Sequence, residues 1–261
     1  LDLSFNTNLT HFGAGFANIS GINLSQNTLE SLNLIYCLTG GFYLSNQTSL
    51  TYLGLTGNEP LGDTSLDLSN NTLLDTLYCL DNQLTSLDLS NNTALTYLDL
   101  WGNDLTTLDV SANTALTFLN CNNNQLTSLD VRNGNNTNMY SYISTPWNTN
   151  NNPNLYCISV DDATYSTANW SNWYTVNPLA SFSLNCATAF GCMDSLACNY
   201  DANVTINDSS CLISFGCTDL TSCNYDSTAN CDDGSCVYPT SSTDTHVSCD
   251  EFTWFCDGNT Y

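Results

Sequence analysis

The chain has no lysine and a single arginine, Arg132, against 25 acidic residues, which gives a formal charge of −24 over 261 residues. A conventional nucleic-acid binder needs Lys and Arg to neutralise phosphate, so that class is excluded. Docking on an anionic membrane surface is disfavoured for the same reason. No apolar run approaches the ~18 residues of a spanning helix, so membrane insertion is not expected. The strong helix formers Lys, Arg and Glu are nearly absent while Asn, Thr and Ser abound, which argues against a helical protein. The two histidines, His11 and His246, lie far apart in sequence. Without lysine there is no Schiff-base nucleophile and no P-loop. The carboxylate pairs Asp161–Asp162 and Asp232–Asp233 fall in cap and turn sequence, so the chain reads as no enzyme. No signal peptide precedes the opening residues LDLSFNTNLT, which are already repeat sequence, so a processed chain or a fragment is expected.

What is present is repetition. Leu66–Ser86, Leu87–Thr107 and Leu108–Ser128 follow one another with a period of 21. Looser copies occupy Leu1–Gly21, Ile22–Gly41 and Phe42–Ser65, and a decaying copy starts at Leu129. The core pattern LxxLxLxxNxL, as in Leu95, Leu98, Leu100, Asn103 and Leu105, is that of a leucine-rich repeat. Each Leu-x-Leu alternates faces, so its leucines point inward from a short strand. One coil cannot bury its apolar face alone, but coils stacked at roughly 4.8 Å can. Asn18, Asn58, Asn82, Asn103 and Asn124 share one position, where an amide can bond turn backbone that no ladder reaches. Cys79 and Cys121 replace the second Leu of LxL, and Cys37 falls near the ladder Asn; these read as small buried hydrophobes.

The outward positions of the LTYLDL strand carry His11, Ser31, Tyr52, Thr76, Tyr97 and Phe118, with Asp99 and Trp101 as neighbours. Tyr52, Tyr97, Asp99, Trp101 and Phe118 are the candidate ligand-binding residues, able to stack on a sugar or anchor a protein. The competing reading is a cross-strand aromatic ladder that only stabilises a sheet. A second LxxLxL per unit (Leu84, Leu87, Leu89; Leu105, Leu108, Val110) predicts a strand on the opposite side. That strand carries Asp67, Asp88, Asp109 and Asp130, which repel one another unless solvated or bridged by a cation.

The periodicity breaks near Arg132. Trp147, Trp170, Trp173 and Phe182 supply bulk for a cap, and Cys157 and Cys186 are paired as its staple. The 21-residue units, the LDVRNGNN exit and the NPNL-C-I-VDDATYSTANW cap resemble the leucine-rich repeats of bacterial surface proteins, in the phylum that exports cargo by type IX secretion. The resemblance covers roughly residues 1–186, and the irregular early units depart from it. It implies a secreted or surface-displayed, non-enzymatic binding or adhesion module.

A second repeat, with a period of 25, follows: Gly191–Cys211 aligns with Gly216–Cys236. It resembles the GC-x-D…NYD…DDGSC repeats found in tandem in the same class of surface proteins. So short a unit cannot hold itself together by burial and needs staples. Eleven of the 14 cysteines lie from Cys157 to Cys256, which reads as oxidising and extracellular. The expected pairs are Cys192–Cys211, Cys217–Cys236, Cys223–Cys231 and Cys249–Cys256, with Cys198 left over. The clustered oxygens of Asp194, Asp201, Asp208, Asp219, Asp226 and Asp233 suit Ca²⁺, the one cofactor to consider, with turn-forming Asx residues as the alternative. Asn8, Asn46, Asn70 and Asn91 head Asn-x-Ser/Thr glycosylation sequons.

The expected fold is therefore mainly β: a solenoid over 1–135, a disulfide-closed cap over 136–187, two Cys-rich repeats over 188–239 and the start of a β-rich stalk module over 240–261. The expected function is cell-surface adhesion or recognition of a protein or glycan. The alternative is a structural subunit of an extracellular fibre in which copies meet head to tail, because Leu1 lies inside a coil.

Overall fold

The computed structural model describes residues 1–37, 43–58, 66–139, 147–170, 176, 180–204 and 206–238. The chain divides into two units, Leu1–Cys186 and Ala187–Tyr261.

The first unit is a solenoid. Its strands are β1 (His11–Gly15), β2 (Ser31–Ile35), β3 (Tyr52–Thr56), β4 (Thr76–Tyr78), β5 (Tyr97–Asp99), β6 (Thr107–Asp109), β7 (Phe118–Asn120), β8 (Ser128–Asp130), β9 (Trp147–Asn148), β10 (Cys157–Ser159) and β11 (Ser181–Ser183). They form two parallel sheets, one ordered β1-β2-β3-β4-β5-β7-β9 and the other β11-β10-β8-β6. Successive LTYLDL-type segments make most of the seven-stranded sheet; of the second LxxLxL segments, the one at Leu105–Val110 and the next supply β6 and β8 of the four-stranded sheet, whereas the one at Leu84–Leu89 contributes none of its strands. The register is fixed by the leucines: Phe12, Leu32, Leu53, Leu77, Leu98 and Leu119 align across the large sheet. A one-residue slip would turn each of them outward. Between the sheets runs one core, in which a single coil buries Leu95, Leu98, Leu100, Leu105 and Leu108 to 2% exposure or less. At about 2 kcal/mol per buried leucine, this column of side chains is what closes each coil.

The turns between sheets leave backbone groups that no strand reaches. Two rows of buried amides bond them. In the first, Oδ1 of Asn58, Asn103, Asn124 and Asn152 accepts from the N–H of Cys37, Leu84, Leu105 and Leu126 at 2.9–3.0 Å. The Nδ2 of each donates to carbonyls of its own or the preceding coil. The strand register, which pairs Ile35 with Thr56, sets Cys37 in the row's own position, one coil before Asn58. Asn152 lies beyond Arg132, so a further coil continues into the span predicted as cap: β9 extends the large sheet, β10 extends the small one, and Leu155 and Ile158 join the core. The second row was not anticipated. Asn27, Gln47, Asn71, Asn92, Asn113 and Asn133 are all buried and donate to carbonyls one coil back. Two members of this row also accept: Gln47 from Leu29 N–H at 2.9 Å and Asn133 from Asn135 N–H at 2.9 Å. Oδ1 of Asn27, Asn71, Asn92 and Asn113 accepts no hydrogen bond within the protein, a desolvation cost carried for the bonds their Nδ2 atoms donate.

Each strand of the large sheet is followed by a residue at positive φ: Phe16, Tyr36, Gly57, Asp81, Gly102, Asn123 and Asn151. Gly57, at φ 63°, is also covered by the Tyr36 ring, which a Cβ would strike. Tyr36 stacks on Phe16 with centroids 5.7 Å apart. Gly57→Ala is expected to displace that ring and cost about 1 kcal/mol, read as a lower melting temperature. An unchanged melting temperature would show that the ring moves freely.

The cap is built on α1 (Ala163–Trp170). Asp162 starts it, its Oδ1 accepting from Thr164 and Tyr165 N–H at 2.9 Å each. Trp170 is buried edge-on against Phe182 of β11, 5.8 Å between centroids. Cys157 and Cys186 are joined, Cα atoms 5.7 Å apart. Trp173 lies outside the described residues.

The second unit contains one small fold twice. In the first copy β12 (Phe190–Gly191) pairs with β13 (Ile206–Asn207); in the second β14 (Phe215–Gly216) pairs with β15 (Cys231–Asp232). Little is buried here, and disulfides hold the copies: Cys192–Cys211 and Cys217–Cys236, with Cα separations of 4.7 and 4.8 Å. The expected Cys223–Cys231 pair is not formed. Cys231 bonds Cys198, the cysteine thought left over, with Cα atoms 5.9 Å apart. The bond links the copies to each other. Its cause is local: Cys198 N–H donates to Leu212 O and Cys231 N–H to Ser214 O, so the joining segment holds both cysteines side by side. Cys223 is disulfide-bonded as well. The Cys249–Cys256 expectation lies outside the described residues.

Candidate functional site

Parallel pairing sets equivalent residues of successive coils directly beside one another. Tyr52, Thr76, Tyr97 and Phe118 align on the outward face of the large sheet. Two residues on, and so on the same face, Gly54, Tyr78, Asp99 and Asn120 align. The rings form an unbroken row. Centroids are 5.9 Å apart for Tyr52–Tyr78, 4.7 Å for Tyr78–Tyr97 and 3.9 Å for Tyr97–Phe118. Tyr97 and Phe118 are stacked within 3° of parallel. Tyr78 was missed in the sequence. It fills the gap left by Thr76, and the period of two from Thr76 was the signal that places it on this face.

Asp99 lies in the middle of this row, beside Tyr78 and Asn120, and is 8% exposed. Its Oδ1 accepts from Trp101 N–H at 3.2 Å and Asn120 Nδ2 at 2.9 Å. Burial, only partly offset by these two bonds, raises its pKa above the ordinary carboxylate value. The Tyr97 phenol is pushed up first by burial, then by the Tyr78 hydroxyl and the Asp99 charge. The sequence-predicted set of Tyr52, Tyr97, Asp99 and Phe118 is thus brought together, with the Trp101 backbone tied to Asp99.

The Asp column runs along the opposite side, with Asp109 on β6, Asp130 on β8 and Asp67 and Asp88 outside the strands. Oδ1 of Asp67, Asp88 and Asp109 accepts from Ser69, Ser90 and Ser111 N–H two residues on, at 2.8–3.0 Å. Hydrogen bonds from those serines hold the Asp67 and Asp88 carboxyls below the usual range. The column lines an open cleft of about 540 Å³. At its end Asp130 is paired with Arg132, which also donates to Leu184 O at 3.1 Å.

The six carboxylates considered for Ca²⁺ each cap a turn in the same way. Asp194, Asp201, Asp208, Asp219, Asp226 and Asp233 accept from the N–H of Leu196, Asn203, Ser210, Thr221, Thr228 and Ser235 at 2.8–2.9 Å. Among the described residues no three His, Cys, Asp or Glu side chains sit together as a metal group would need. Asn8, Asn46, Asn70 and Asn91 are all exposed. Asn46, Asn70 and Asn91 directly precede Gln47, Asn71 and Asn92 of the second amide row, so these sequons recur on one turn of successive coils. Cys79 and Cys121 are free and fully buried, and burial pushes both thiols up to about 12, which leaves them unreactive. No helix among the described residues is long and apolar enough to cross a membrane.

The fold and its two amide rows define a mainly β leucine-rich-repeat solenoid. Residues 93–134 match the family model described as Leucine Rich repeats (2 copies). Among solved structures, the functional domain of InlJ from Listeria monocytogenes, described as including a cysteine ladder, is similar at 23% identity with a TM-score of 0.33. The match covers 70% of this chain and 54% of that one, so the chain spans about half of its length. No curated protein matches the sequence.

Proposed function

We propose that the solenoid is a non-enzymatic, extracellular recognition or adhesion module that engages a macromolecular partner through the outward face of the large sheet. The observation that carries this reading is the row Tyr52–Tyr78–Tyr97–Phe118. Large rigid rings offer contact area at little entropy cost, and they concentrate binding energy in interfaces. The extracellular assignment rests on the disulfides of the second unit and the cap. Export by type IX secretion rests on the sequence resemblance alone.

The test is adhesion of the purified chain to its native surface. Replacing Tyr52, Tyr97 and Phe118 together by Ala should reduce binding by a hundredfold or more, two anchors at ~2 kcal/mol each being enough. The three side chains are half-buried, so circular dichroism must first show the variant folded. A folded triple variant that adheres as well as the parent removes the site.

A further inference from the structure

We propose that the row receives a cation, the guanidinium or ammonium of an Arg or Lys side chain on a partner protein, with Asp99 as its counter-ion. The inference rests on the sheet face being the binding face and names what that face recognises.

The argument starts from what Asp99 lacks. It is more than nine-tenths buried, yet both of its hydrogen-bond donors are neutral and both go to Oδ1. A buried carboxylate is normally paired, because desolvation of a lone charge is costly. Among the described residues no cation pairs it: the one arginine is held by Asp130 on the other sheet, and the sequence has no lysine. The fold does not need the charge either. The same column holds Asn33, Asn120 and Asn148, and an Asn at 99 would accept both Oδ1 bonds equally well. An acid that costs stability where an amide would serve is the mark of a site kept for function.

The surroundings match a cation. Tyr78 and Tyr97 flank Asp99, and electron-rich ring faces beside a carboxylate attract ammonium and guanidinium groups. The charge of −24 draws a basic partner toward the face from a distance. A neutral glycan fits less well, because it would leave the buried Asp99 carboxylate without a counter-ion.

The experiment uses the full chain, Asp99→Asn, and Asp109→Asn as a control on the opposite sheet. The probe is a hexa-arginine peptide, with binding measured by calorimetry and stability by thermal unfolding at pH 7. Asp99→Asn should raise the melting temperature by about 2–4 °C and weaken peptide binding at least tenfold. Asp109→Asn should leave affinity within about twofold, as expected for one screened surface charge. Equal losses in both variants would mean diffuse attraction to an acidic protein and would overturn the proposal. A lower melting temperature for Asp99→Asn would also overturn it, since the carboxylate would then be structural. If the aromatic triple variant loses native adhesion while Asp99→Asn keeps it, the face binds but a neutral ligand such as a glycan occupies it. If the triple variant keeps adhesion, the binding-face reading itself fails.

Discussion

Asn103→Ala is expected to destabilise the solenoid by about 3–5 kcal/mol. Asn103 is 5% exposed and bonds three backbone groups: Leu84 N–H at 3.0 Å, Cys79 O at 2.7 Å and Leu100 O at 3.0 Å. Alanine fills none of these roles, and the row is buried. Each buried backbone group left unpaired costs about 1–3 kcal/mol. The damage spreads because a solenoid coil is stable only against its neighbours. Urea unfolding should show a lower midpoint with an unchanged slope. The exposed Asn91 provides the control, since Asn91→Ala should stay within about 0.5 kcal/mol. A cost below about 1 kcal/mol at Asn103 would mean that the turn backbone finds other partners.

The second large effect is expected from the cap. Replacing Cys157 and Cys186 by Ala opens a loop with a sequence separation of 29, which the chain-entropy account values at about 3–4 kcal/mol. What is freed is the end of the four-stranded sheet. Among the described residues β11 pairs only with β10, through Cys157–Ser181, Ile158–Phe182 and Ser159–Ser183, and Phe182 covers Trp170. Hydrogen exchange in the double variant should accelerate at β10, β11 and α1 first and leave β3–β5 protected. Uniform acceleration across the solenoid would instead mean that the cap and the coils unfold as one unit.

Much of this was legible in the sequence because a solenoid is nearly one-dimensional. Each coil meets only its neighbours, so the spacing of Leu95, Leu98, Leu100 and Asn103 states most of the local contacts. The column of Tyr52, Tyr97 and Phe118 followed from the same arithmetic. Two kinds of feature escaped. Where the period loosened, continuity was lost: the coil ending in Asn152 was read as cap because a longer segment separates it from Asn124. Where one side chain does the work of another position, the pattern was silent: Tyr78 bridges the row across Thr76 from two residues away. Within the second repeat, the equivalent pairs Cys192–Cys211 and Cys217–Cys236 formed as expected, but Cys231 joins Cys198 of the other copy instead of Cys223. In the first copy Ile206 stands where Cys231 does in the second, so the two copies could never have shared one set of bonds.

The 21-residue period and its Leu-x-Leu alternation determined a mainly β leucine-rich-repeat solenoid, because short strands in stacked coils bury leucines so spaced, and the clustered cysteines with their 25-residue period determined the disulfide-held repeats. Only the tertiary structure decided which amides carry the turns, which cysteines meet, and that Asp99 is buried among rings without a cation. Those outcomes depend on distances between coils and on what fills the space beside each group, and a repeat pattern contains neither.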